Sequence, residues 1–189
     1  MNKIDIFPTP VGIDDLKLDD TVKNEILDYF FNFNVDNHMF NIANSDIDSH
    51  HLLDKNLPKL KDLILKSFYE YSKHDTKFNI TTSWIKILRP GKDGHIHCHR
   101  NCMYSGIFYF DDSEANLVLH QTNIGSYYIE NTEQSSEQFW ITPKKHRIVF
   151  FPSNVWHSVN TNTAKLNRVS LAFNLAPVPP YGVNDSYLK

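Results

Sequence analysis

From residue 78 onward the chain passes through a series of short β-forming segments, each closed by turn residues, and this pattern sets the fold. Residues 78–88, 103–110, 115–121, 137–141, 147–151 and 167–175 are rich in Ile, Val, Phe, Tyr, Trp and Thr. Pro90-Gly91, Asp111-Asp112-Ser113 and Pro152-Ser153-Asn154 mark boundaries between them. Six to eight antiparallel strands within ~100 residues suit a jelly roll. The chain before Asp75 has a different period. Leu16, Val22, Ile26, Leu27, Tyr29 and Phe30 predict a helix over 13–34, with Asp19 or Asp20 as its cap. Leu60, Leu63, Ile64, Phe68 and Tyr71 form a stripe that predicts a second helix over about 55–73, with Pro58 in its first turn. Helices followed by a run of strands predict a mainly β, α+β chain whose N-terminal helices cover one sheet.

With 189 residues and no repeat or linker, the chain reads as one domain. Residues of about 10–75 would be the helical cover and about 77–178 the barrel core. Hydrophobic residues at 41% and aromatics at 13% supply a packed interior. The 19 basic and 22 acidic residues give a net charge of −3, so no basic field favours nucleic acid. Met1 to Pro8 lacks the apolar core of a signal peptide, and no run approaches a membrane span, so no membrane association is expected. Cys98 and Cys102 are too few for a disulfide framework, and a reducing cytoplasm is the expected location. Oligomeric state is not legible.

Gly94-His95-Ile96-His97-Cys98-His99 holds three alternating histidines. In an extended chain they share a face, with neighbouring pairs roughly 6–7 Å apart at Cα and the outer pair about 13 Å apart. Two neighbours can converge on one ion, but all three cannot without a bend. His157, after Phe150-Phe151-Pro152-Ser153-Asn154, is the candidate third ligand. Three protein ligands leave positions open for catalysis. The residues leave alternatives: His95 with His97 as the pair, Asp93 as a carboxylate ligand, a zinc site using Cys98 and Cys102, or a plain surface strand.

Arg168-Val169-Ser170 lies in an otherwise apolar strand, with Arg168 and Ser170 on one face. An Arg pointing into a barrel needs a partner. A ligand carboxylate matches its two-pronged geometry, and Ser170 offers a further donor. A small dicarboxylate beside the metal fits both constellations. The alternatives for Arg168 are an internal acid or solvent on an edge strand.

These pieces occur in an order that resembles the iron(II)/2-oxoglutarate-dependent dioxygenase superfamily, and within it the small prolyl-hydroxylase-like oxygenases of marine bacteria and their phages. The matching stretches are Ile6-Phe7-Pro8-Thr9-Pro10-Val11, His97-Cys98-His99 with Ser105-Gly106-Ile107-Phe108-Tyr109, Phe151-Pro152-Ser153 with Trp156-His157-Ser158-Val159, and Arg168-Val169-Ser170 with Phe173-Asn174. The resemblance implies a double-stranded β-helix (cupin-like) with iron(II) in the barrel mouth. It implies that His97 opens the metal motif and His157 closes it. It further implies that Arg168 and Ser170 grip the distal carboxylate of the cosubstrate 2-oxoglutarate, with Tyr109 as a second contact. His99 stands where the superfamily carries a carboxylate. The expected activity is O₂-dependent hydroxylation of a small molecule or a protein side chain, with release of succinate and CO₂. The competing expectations are a non-catalytic metal-binding barrel module and a three-histidine dioxygenase that works without 2-oxoglutarate.

Overall fold

The computed structural model of the chain describes residues 8–32, 50–121 and 138–188. Ile6, Phe7 and His38 lie outside these residues. Strand β1 (Gly12–Asp15) precedes helices α1 (Asp20–Asn32), α2 (Leu52–Lys55) and α3 (Pro58–Ser72). Eight strands follow: β2 (Phe78–Leu88), β3 (Gly94–His97), β4 (Tyr104–Tyr109), β5 (Leu117–His120), β6 (Gln138–Ile141), β7 (Arg147–Pro152), β8 (Trp156–Val159) and β9 (Arg168–Pro177). A five-stranded sheet runs β1-β7-β4-β9-β2, and a four-stranded sheet runs β3-β8-β5-β6. Their named pairings are antiparallel, which gives the expected jelly roll.

Alternation along the strands divides the side chains into two cores. Outward residues of the five-stranded sheet, among them Ile148, Phe150, Leu171, Phe173 and Leu175, pack against Leu60, Ile64 and Phe68 of α3. Gly106 belongs to this close packing, because a Cβ there would stand 2.4 Å from the Phe173 ring. Inward residues of both sheets form a second cluster: Ile107, Tyr109, Leu117, Leu119, Ile141, Val149 and Phe151. The helices hold one another as well as the sheet. Both Glu25 carboxylate oxygens accept from the backbone N–H groups of Lys59 and Leu60, at 3.0 Å each, and so cap the start of α3 from α1. Asp19 caps α1, accepting from the Val22 N–H at 2.9 Å.

The expected helix over 13–34 is shorter than its apolar period suggested. Residues Gly12–Asp15 form a strand paired with β7, and the helix begins at Asp20. The pairing is reinforced where Arg147 donates from Nε and Nη2 to the two oxygens of Asp15, at 2.6 and 2.9 Å. That long-range partner overrides local propensity. Strand β3 realises the extended run read for His95 and His97, whereas β8 lies outside the segments read as strands, being four residues long and half polar (Trp-His-Ser-Val).

Candidate metal centre

β3 and β8 are neighbours, and their register sets His97 directly opposite His157. Opposed residues share a face, so both rings enter the space between the sheets, with centroids 4.3 Å apart. Strand β3 stops at His97. The chain then crosses from the four-stranded sheet to the five-stranded one, held by the His99 N–H donating to the Ser153 carbonyl at 2.9 Å. The crossing supplies the bend that a continuous strand lacks. It carries the His99 ring to 5.1 Å from both other rings. One ring nitrogen from each of His97, His99 and His157 lies within 4.8 Å of the others, a grouping that could hold a metal ion.

Among the described residues neither Asp93, His95, Cys98 nor Cys102 joins this group. His95 is exposed beside His97, and both cysteines are free. The zinc alternative and the carboxylate alternative therefore have no geometric support among these residues.

Each ring is oriented through Nδ1, which leaves Nε2 as the free lone pair. His97 Nδ1 donates to the His95 carbonyl at 2.9 Å, and His157 Nδ1 to the Val155 carbonyl at 3.0 Å. Both use the carbonyl two residues earlier. His99 has no such local partner and uses Asn174 Oδ1, at 2.6 Å. Asn174 is fixed in turn by its amide donating to Thr82 Oγ1 at 3.0 Å. Ser105 Oγ lies 2.8 Å from Asn174 Oδ1, 3.0 Å from Ser153 Oγ and 3.2 Å from His99 Nδ1. Supports of this kind set ring tautomer and direction. Asn174, Ser105 and Thr82 were not singled out from the sequence as supports for a ring. The available signal was Asn174 sharing a strand face with Arg168 and Ser170.

Burial favours the neutral form of His97 and His157. His157 is 5% exposed, and desolvation pulls its pKa down to about 4, with the charges of His97, His99 and His120 acting in the same direction. His97 is lowered chiefly by burial, with smaller effects from the charges of His99, His95 and Lys86. An unfolded His157 takes up its proton near 6.5, whereas the folded ring takes it up only near 4. Stability is thus complete above 6.5 and falls as pH drops toward 4, by on the order of 3 kcal/mol from this residue. Urea unfolding of metal-free protein at pH 7, 6, 5 and 4 should show that fall. His157→Gln should flatten it, and equal slopes in the two proteins would contradict the assignment.

Arg168 opens β9 on the same inward face as Ser170 and Asn174. Its strand does not run beside that of His157. β9 pairs with β2 and β4 in the five-stranded sheet, so Arg168 faces the lumen from the opposite sheet. It is 4% exposed, and Nη1 donates to Ser170 Oγ at 3.2 Å. Nη2 reaches Tyr109 Oη at 3.5 Å, and the guanidinium carbon lies 5.1 Å from the Tyr109 ring centre. Tyr109 is fully buried, and burial raises its pKa against the opposing effect of Arg168. The Arg168 Nε is buried with no hydrogen-bond partner. No ion pair among the described residues neutralises the guanidinium.

Residues 82–174 match a family model described as "Putative 2OG-Fe(II) oxygenase". A search of curated proteins gave no match. Among solved structures, HygX from Streptomyces hygroscopicus, with nickel and 2-oxoglutarate bound, aligns with a TM-score of 0.61 at 8% identity, covering 90% of this chain and 83% of that one. A prolyl-4-hydroxylase from Pseudomonas putida aligns at 0.55 and 15% identity, with 89% and 88% covered. An oxidoreductase of the 2OG-Fe(II) oxygenase family from Burkholderia pseudomallei aligns at 0.50 and 13% identity over 64% of this chain, which spans 59% of that protein's length. These structural likenesses concern the fold, a double-stranded β-helix. The family match, over a stretch that holds His97, His99, His157, Arg168 and Ser170, supports membership of the superfamily of 2OG-Fe(II) oxygenases.

Proposed function

We propose that the chain hydroxylates a primary substrate, a small molecule or a protein side chain, while O₂ and 2-oxoglutarate are converted to succinate and CO₂. The observation that carries this reading is Arg168, a buried cation with no acid beside it among the described residues, facing the same lumen as the three histidines. An uncompensated buried guanidinium costs several kcal/mol, so a chain that retains one has an anion to bind there.

The residues fit the two groups that the superfamily requires. Three imidazoles with Nε2 free suit iron(II). The partnerless Nε of Arg168 suits one oxygen of a carboxylate. We assign His97, His99 and His157 to the metal. Arg168 is assigned to the distal carboxylate of 2-oxoglutarate, with Ser170 and Tyr109 aligning the guanidinium and Ser170 able to donate to the same anion. When bound, iron(II) supplies the electrons that activate O₂, coupled to oxidative decarboxylation of 2-oxoglutarate. The protein binds, orients and excludes water. Ile107, Leu119, Val149 and Phe151 give the lumen apolar walls. Burial lowers the pKa of His97 and His157, which favours the neutral ring that an ion needs.

The test is direct. Iron-loaded protein titrated anaerobically with 2-oxoglutarate should develop a visible metal-to-ligand charge-transfer band. Admission of O₂ should then release one succinate for each 2-oxoglutarate consumed. No band and no succinate would leave a metal-binding barrel or a dioxygenase independent of 2-oxoglutarate.

A further inference from the structure

We infer that the primary substrate carries an anionic group, a carboxylate or a phosphate, that Lys86 of strand β2 receives. This inference rests on the reading above and names the substrate class of the same site.

Lys86 pairs with Ser170 across the β2–β9 ladder, so it shares the inward face of Arg168, Ser170 and Asn174. β2 is the outer strand of its sheet, and Lys86 is half-buried there. Its charge is near enough to act on His97. Two residues away on the same face, Trp84 brings its ring centroid to 5.8 Å from that of His99. Lys86 and Trp84 thus flank the histidine group from the lip of the barrel.

Among the described residues no acid answers Lys86. Strands β2 to β9 contain not one Asp or Glu. Among the described residues Lys86 makes neither an ion pair nor a hydrogen bond, and the ion pairs present lie elsewhere. The charge balance points the same way. A site with two histidines and one carboxylate leaves one positive charge on a divalent ion. One arginine then brings the total to two, which 2-oxoglutarate cancels. Three neutral imidazoles leave both charges on the ion, and Arg168 and Lys86 raise the total to four. 2-Oxoglutarate removes two of these and leaves an excess of two in a lumen with low dielectric walls. A cationic substrate would enter against that excess and a neutral one would leave it uncancelled, whereas an anionic one is drawn in. Lys86 is a cation at the opening with no ion pair among the described residues, and Trp84 supplies an apolar surface for the body of the molecule.

The probes are 3-phenylpropionate, its neutral amide and phenyl phosphate. Each is titrated by calorimetry into protein loaded with nickel(II) and saturating 2-oxoglutarate. Wild type should bind one of the two anions at least about tenfold tighter than the amide, as expected for a charge-assisted contact. The better anion identifies carboxylate or phosphate as the group received. Lys86→Gln should erase the preference, and Lys86→Arg should keep most of it. Metal and 2-oxoglutarate binding should be unchanged in both variants. Equal affinity of wild type for the amide and both anions, an anion preference that survives in Lys86→Gln, or loss of 2-oxoglutarate binding in that variant would each overturn the inference. Failure of wild type to load 2-oxoglutarate at all would instead sink the proposed function.

Discussion

Arg168→Ala should weaken 2-oxoglutarate binding by about thirty- to thousand-fold while leaving the metal in place. The lost contact is a two-pronged, charge-assisted one in a buried setting, worth roughly 2–4 kcal/mol. The guanidinium is already aligned by Ser170 at 3.2 Å and Tyr109 at 3.5 Å, so little ordering cost offsets it. Lys at this position should restore only part, since an ammonium lacks the fork and has no counterpart to the buried Nε. The measurement is anaerobic titration of iron-loaded protein, followed by the charge-transfer band or by calorimetry. A dissociation constant equal to wild type in Arg168→Ala would remove the assignment of 2-oxoglutarate to this site.

His97→Ala and His157→Ala should each abolish most iron binding, a loss of at least about a hundredfold in affinity, since each removes one of three protein ligands. His99→Ala should weaken binding far more than His95→Ala. His99 belongs to the grouped nitrogens, while His95 is exposed and outside the group. Elemental analysis and competition with a chelator measure this. Stoichiometric iron in both His97→Ala and His157→Ala would end the assignment. A larger loss in His95→Ala than in His99→Ala would move the third ligand to His95.

What the sequence made legible follows from the range over which each signal acts. The strands from 78 to 88 and from 167 onward are long and β-branched or aromatic, and they could be read locally. His97 and His157 could be paired because each sits in a short polar motif of its own. The position of His99 could not be settled by spacing. The 13 Å limit between outer histidines presumes an unbroken strand, and the break after His97 depends on the Ser153 carbonyl about fifty residues away in sequence. Strand order was equally hidden. Arg168 follows His157 closely in the chain, yet β9 joins the other sheet. Lys86 drew no attention among the lysines of a slightly acidic chain, because its facing becomes known only from its register against Ser170. At Gly12–Asp15 the apolar period favoured a helix, and Arg147 decided for a strand.

The crossing of the chain between the sheets has a mechanical consequence. His97 and His157 stand on the four-stranded sheet, whereas His99 is anchored to the other through Asn174, Ser105 and Ser153. An ion held by the three spans the seam between the layers. The gape of the barrel would then be restrained by bonds to the ion from His97, His99 and His157, which are stiffer than the sliding contacts of packed side chains. Metal loading at the proposed site would act on this scaffold as a rivet between the two leaves of a clasp.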